Sequence, residues 1–258
     1  MRPLREARRR RLLSRRLLDD DAWGALAAEH PILAGLAAGE LGRLRELTTV
    51  FLHEKTFEAA RGLELTADMK AVISLQATLP ILNLGVDCYA GWKTVVVVPA
   101  EFIQDEETVD PIGVVTEYSE DRSGESWDRG PVVLSWEDVE ASGWGDGYNV
   151  VVHEAAHRLD LLDGAVNGRP ALHDEQDPKE WQRVFTEAYH DLEQRVEGKR
   201  RSVLDPYALE DAGEFFAVAS ELFFERPRAL QRQYAALYGQ LAGFYRQDPA
   251  ARRLAHRR

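Results

Sequence analysis

VVHEAAHRLDLLDG, residues 151–164, carries two histidines four apart with a glutamate directly after the first. Local signals predict a helix here. Asn149 is an N-cap type residue, and Gly164 stands just past the end as a C-cap. Val150, Val151, Ala155, Ala156 and Leu159 supply an apolar face to bury it. On that helix His153 and His157 lie one turn apart on the same face, so both imidazoles can reach one ion. Glu154 is rotated about 100° away and cannot easily join them as a ligand. It can instead lean over a water held by the ion. The His-Glu-x-x-His spacing therefore separates ligand from base. Two neutral imidazoles hold Zn²⁺, and the carboxylate takes the proton.

Zinc held by two histidines needs a further protein ligand and an open position. Cys88 is the only cysteine, so a thiolate cluster is excluded, as is an internal disulfide. A third histidine in an H-x-x-G-x-x-H continuation fails, because position 163 is Asp163. His173 lies 16 residues downstream and reads as a loop or rim residue. The segment DAGEFFAVASELFFERP (211–227) offers Glu214 and Glu221, seven apart and on one helical face. Both stay open as the third ligand. Asp211 and Glu214 also fit a capping box, which would make Glu214 a helix-end residue. Glu221 could instead pair with an arginine or with a ligating histidine. Tyr207 precedes Glu214 by seven residues, in a turn led by Pro206, and is a candidate donor to an oxyanion. Asp160 is a candidate support either for an imidazole or for the helix end, and Asp163 reads as part of the turn that ends the helix.

Around this helix the pattern changes period twice. Residues 20–60 read as helical pieces, and a further helix is predicted from Thr66 to about Leu79, stopped by Pro80. Thr94–Val98 reads as a central strand, with Ile112–Tyr118 and Pro131–Trp136 as further strands and 119–130 as an exposed loop between them. Trp136 is placed in the core or on the wall of the cleft. Three helices follow the histidine segment, over 177–198, over 211–226, and beyond Pro227 one carrying Leu230, Tyr234, Leu237, Leu241 and Phe244. The order helices, small sheet, helices indicates an α+β fold with a small mixed sheet. The domain division expected is a helical N-terminal region over 1–60, with a basic start, and a catalytic domain over 61–258. Pro131–Trp136 is the natural edge strand, on which an extended peptide substrate would be held.

Composition sets outer bounds. The 258 residues are 45% hydrophobic, enough for one sizeable core. No apolar run is long enough to span a membrane. The first 20 residues hold eight arginines against Glu6, Asp19 and Asp20, which leaves 24 basic and 41 acidic side chains in the rest. So acidic a body does not suit nucleic-acid binding. The arginine run reads as a solvated first helix. It lacks the apolar segment of a secretory signal, so a cytoplasmic location is expected.

The stretches FEAARGLELTADMKAVISLQATLPILNLGVDCYAGWKTVVVVP, GPVVLSW, NVVVHEAAHRLDLLDG and EFFAVASELFF together resemble the Mlc titration factor A family of zinc peptidases, over roughly residues 50–245. That resemblance implies a zincin-like fold related to the catalytic domain of anthrax lethal factor. It implies Glu214 as the third zinc ligand and Tyr207, seven residues earlier, as the oxyanion donor. It further implies aminopeptidase-like activity on short peptides, and binding of a transcription repressor of the Mlc type. The arginine-rich first 17 residues fall outside the pattern. Without the resemblance, two other readings stand: a regulator-binding protein with a weak or latent zinc site, and a protein in which zinc is purely structural.

Overall fold

The structure, a computed structural model, describes residues 2–14, 18–100 and 130–252. Helices α1 (Arg2–Leu13), α2 (Asp20–Glu29) and α3 (Ala38–Glu54) lead into strand β1 (Thr56–Ala59). Helix α4 (Ala67–Thr78) and strand β2 (Thr94–Val98) follow, then β3 (Val132–Ser135) and a short α5 (Trp136–Ala141). The C-terminal half contains α6 (Val150–Asp160), α7 (Pro178–Glu197), α8 (Ala212–Glu225), α9 (Pro227–Gln233) and α10 (Ala235–Tyr245). None of the described helices is long and apolar enough to cross a membrane.

The α+β expectation holds, with differences in detail. The sheet has the order β1-β2-β3, and both ladders are parallel among the described residues, where a mixed sheet was expected. Strand β1 falls inside the stretch read as helical. Its sequence, TFEA, is only four residues long and mostly exposed. Its strand state comes from pairing with β2, in the register Thr56–Thr94 to Ala59–Val97. β3 ends one residue earlier than expected, because the Ser135 side chain accepts from the Asp138 amide and starts α5 at Trp136. Trp136 is half-buried against the core. Ile112–Tyr118 and 119–130 lie outside the described residues, apart from Gly130. The last predicted helix is two, α9 and α10, broken at Tyr234.

The arginine-rich start is docked, not merely solvated. Arg9 of α1 forms ion pairs with Glu54 and Asp87, both at 2.7 Å, and Leu12 is buried. Exposed ion pairs contribute little on their own, so the burial of Leu12 and of the Arg9 stem is the larger share of that docking.

At the centre runs α8, in which every residue from Phe215 to Glu225 is buried. Such all-round burial marks a helix enclosed by its neighbours. Phe216 and Phe223 are fully buried there, and each contributes about 1.5–3 kcal/mol by leaving water. Leu44 and Phe51 of α3 belong to the same buried cluster, so the N-terminal helices share this core.

One loop fixes the start of α8 against the end of α6. Gly168 has φ +74°, and a Cβ there would lie 2.3 Å from the Ala212 carbonyl oxygen. Its amide donates to Asp160 Oδ2 and its carbonyl accepts from Trp181 Nε1. Gly168→Ala therefore combines a left-handed backbone with a collision against main chain. We expect a loss of about 2–4 kcal/mol in urea unfolding. A loss under 0.5 kcal/mol, on the order of an ordinary surface change, would show that the loop yields freely.

Candidate metal centre

Helix α6 forms where it was read. The Asn149 side chain accepts from the Val152 amide as N-cap. The chain leaves through a 3₁₀ turn, Leu161–Asp163, that closes on Gly164 at φ +96°. Val151, Val152, Ala155, Ala156 and Leu159 are buried, which turns both histidines toward α8.

There the two imidazoles meet one carboxylate. His153 Nε2 lies 3.1 Å from one oxygen of Glu214, and His157 Nε2 lies 3.2 Å from the other. The two Nε2 atoms are 3.0 Å apart. One donor atom from each of the three residues falls within a 4.8 Å group, the arrangement needed to hold a metal ion. In a tetrahedral site with bonds of about 2.0–2.1 Å, neighbouring donors sit roughly 3.3 Å apart, so these separations suit a small divalent cation. Two nitrogens and an oxygen, with no sulfur, suit a divalent transition metal. Capping and ligation do not compete at Glu214. Asp211 caps α8 by accepting from the Glu214 amide, and the Glu214 side chain turns to the histidines.

Glu221 takes the other role. Its Oε1 is 2.8 Å from His153 Nδ1, and its Oε2 accepts from the Asn149 amide. A proton kept on Nδ1 by this carboxylate leaves Nε2 aimed inward as a donor to metal. Glu225, one turn further, accepts from Asn149 Nδ2 and from the Gly145 amide. Helices α6 and α8 thus form a polar ladder, with Asn149, His153 and His157 at spacing four facing Glu225, Glu221 and Glu214. Glu225 was not singled out in the sequence, although its spacing of four from Glu221 and eleven from Glu214 puts all three on one face.

Charge follows this geometry. Burial lowers the basicity of His153, but its bonds to Glu214 and Glu221 outweigh that and push its pKa up to about 10. Burial likewise acts to raise Glu214, and the two histidines override it, holding the carboxyl well below the usual range. The cluster is thus a place where positive charge is strongly favoured, whether as protons or as a cation.

The remaining expected residues divide. Glu154 is half-buried beside His153 and makes no hydrogen bond among the described residues. Tyr207 lies in the 3₁₀ turn Pro206–Leu209, its ring centre 6.3 Å from that of His153. Burial, together with the charge of Glu214, pushes its pKa up to about 12, so its hydroxyl keeps its proton at neutral pH. Asp160 does not hydrogen-bond to His157. Its Oδ2 instead accepts from the Asn167 and Gly168 amides and ties down the loop after α6. His173 bonds to the Phe244 carbonyl, away from the cluster.

Glu225 sets a pH dependence of stability. Burial outweighs its two donors and raises its pKa from 4.5 to about 7. Because the folded-state value is the higher one, its contribution is present below about pH 4.5 and is lost as pH rises through about 7. We expect the unfolding free energy to fall by up to about 3 kcal/mol over that range. Glu225→Gln should flatten this part of the profile, measured by denaturant unfolding. An equally steep fall in the variant would assign it to another group.

Comparison with known proteins agrees with this geometry. Residues 4–246 match the family model described as glucose-regulated metallo-peptidase M90. A protein of Klebsiella pneumoniae named Mlc titration factor A is 38% identical over 225 residues, covering 86% of this chain and 85% of its own length. Proteins of the same name from Salmonella schwarzengrund and Pectobacterium atrosepticum are 37% and 38% identical, over 91% and 89% of this chain and 89% and 87% of theirs.

Proposed function

This chain belongs to the glucose-regulated metallo-peptidase M90 family, and from that membership we propose that it is a zinc-dependent peptidase, aminopeptidase-like in preference, working in the cytoplasm. The observation that carries the reading is the convergence of His153, His157 and Glu214 on one point, with Glu154 next to it on the same helix. In this reading the three residues hold Zn²⁺. When bound, the ion supplies Lewis acidity, polarising a carbonyl and making a water acidic enough to lose a proton near neutral pH.

The protein's own groups do the rest. Glu154 receives the proton of the attacking water on its carboxylate and passes it to the departing amine nitrogen. Tyr207, protonated at working pH, donates its hydroxyl to the oxygen that becomes negative as the carbonyl turns tetrahedral. Glu221 holds His153 in one orientation. Strand β3, at the edge of the described sheet, offers main-chain groups to an extended peptide. Main-chain pairing imposes little side-chain selectivity, which suits varied short substrates.

The test is a digest of a short-peptide library by purified protein, beside metal analysis. Cleavage should stop with a chelator and return with added Zn²⁺. Cleavage indifferent to the chelator would remove the metal from the reaction.

The names of the relatives favour a second role, binding to a repressor of the Mlc type. Capture of such a repressor by Glu154→Gln protein as well as by wild type would show binding that needs no hydrolysis. Failure of both to bind would remove the partner.

A further inference from the structure

The chain carries a net charge of −12, yet four arginines converge on one cavity away from the histidine cluster. The cavity, about 290 Å³, lies where the 3₁₀ turn Pro31–Leu33, the α8–α9 junction and the turn Pro249–Ala251 meet. Arg226, Arg228, Arg232 and Arg252 line it, with Ile32 as an apolar wall and Glu225 as the one acidic residue of the lining.

Two of these guanidiniums are fixed from behind by neutral groups. Arg228 donates from Nε to the Ala250 carbonyl and from Nη2 to the Arg252 carbonyl. Arg252 donates from Nη2 to Gln247 Oε1. The side chains of Arg226 and Arg232 make no hydrogen bond or ion pair among the described residues. Glu225 supplies at most one negative charge against the four guanidiniums of the lining, and its oxygens accept from the Gly145 amide and Asn149 Nδ2. Burial lowers the pKa of Arg252, with the charges of Glu40 and Asp248 opposing it. Like charges gathered around a partly desolvated hollow repel one another, and an anion between them relieves that repulsion.

We propose that this cavity binds a small phosphate-bearing anion, gripped by Arg226 and Arg232 against the fixed guanidiniums of Arg228 and Arg252. Guanidinium forks pair two at a time with phosphate oxygens. Four forks around one hollow suit a tetrahedral, multiply charged group better than a planar carboxylate, which one or two forks satisfy. Through Glu225 the cavity is one hydrogen bond from Asn149, the cap of the helix that carries both histidines.

The probes are inorganic phosphate and pyrophosphate, titrated calorimetrically into full-length protein. A His157→Ala background keeps phosphate from registering at the metal centre, so the result does not depend on the peptidase reading. Saturable one-to-one binding is expected, weakening with ionic strength. Arg226→Gln with Arg232→Gln should weaken it on the order of tenfold or more. Both positions are exposed, and Arg232→Gln alone, with the same direction of change, serves if the double variant is unstable. Absence of saturable binding, affinity unchanged by these substitutions, or tighter binding of citrate than of pyrophosphate would overturn the proposal.

Discussion

Glu154→Gln is expected to retain its metal and to lose hydrolytic turnover by about 10²–10⁴-fold. The two halves of this result have separate causes. His153, His157 and Glu214 supply all three donors of the cluster, and Glu154 is not among them. Its side chain makes no hydrogen bond among the described residues, so the amide breaks no structural contact. What the amide cannot do is accept a proton from water and deliver it to the leaving nitrogen. Metal content by mass spectrometry and turnover on a short peptide measure the two halves independently. Turnover near the wild-type rate would show that another group is the base.

His157→Ala is expected to abolish metal retention, with affinity falling by more than about 100-fold. Even loss of a residue that merely orients a ligand typically costs 10–100-fold. Removing the imidazole takes away one donor of three, and nothing nearby replaces it, since His173 is bonded to Phe244 and Asp160 to the loop amides. Glu221→Gln is the graded comparison. It leaves all three donors in place and changes only what holds His153 Nδ1. Its loss should be smaller than that of His157→Ala, within the 10–100-fold range. Competition with a chromogenic chelator measures both. Equal metal affinity in wild type and His157→Ala would place the ion elsewhere.

The parts legible in the sequence were those written in local signals. Helix α6 announces itself through Asn149, its apolar face and Gly164, and its histidine pair needs only helical geometry to converge. Helix α7 is equally explicit, with Asp177 as cap and Pro178 in its first turn. The third ligand was different. Residue chemistry alone left Glu214 and Glu221 both open, because a shared helical face does not say which end of that face meets the histidines. The antiparallel passage of α8 across α6 sets Glu214 against both Nε2 atoms and Glu221 against Nδ1, and on that placement we propose Glu214 as the third ligand.

Features set by tertiary pairing were invisible. Strand β1 is short and mostly exposed, and β2 beside it makes it a strand. The break between α9 and α10 falls at Tyr234, with no glycine or proline to mark it. Asp160 carried the right charge and spacing to support His157, but the Asn167 and Gly168 amides claimed it. The partners that Arg9 of α1 meets, Glu54 and Asp87, are far from it in sequence.

The most direct measurement is anomalous diffraction at the zinc edge from crystals of the protein grown with Zn²⁺. A single strong peak bonded to Nε2 of His153, Nε2 of His157 and a carboxylate oxygen of Glu214, each at about 2.0–2.2 Å, is the predicted result. A peak that engages the histidines without Glu214, or no peak between these three residues, would contradict it.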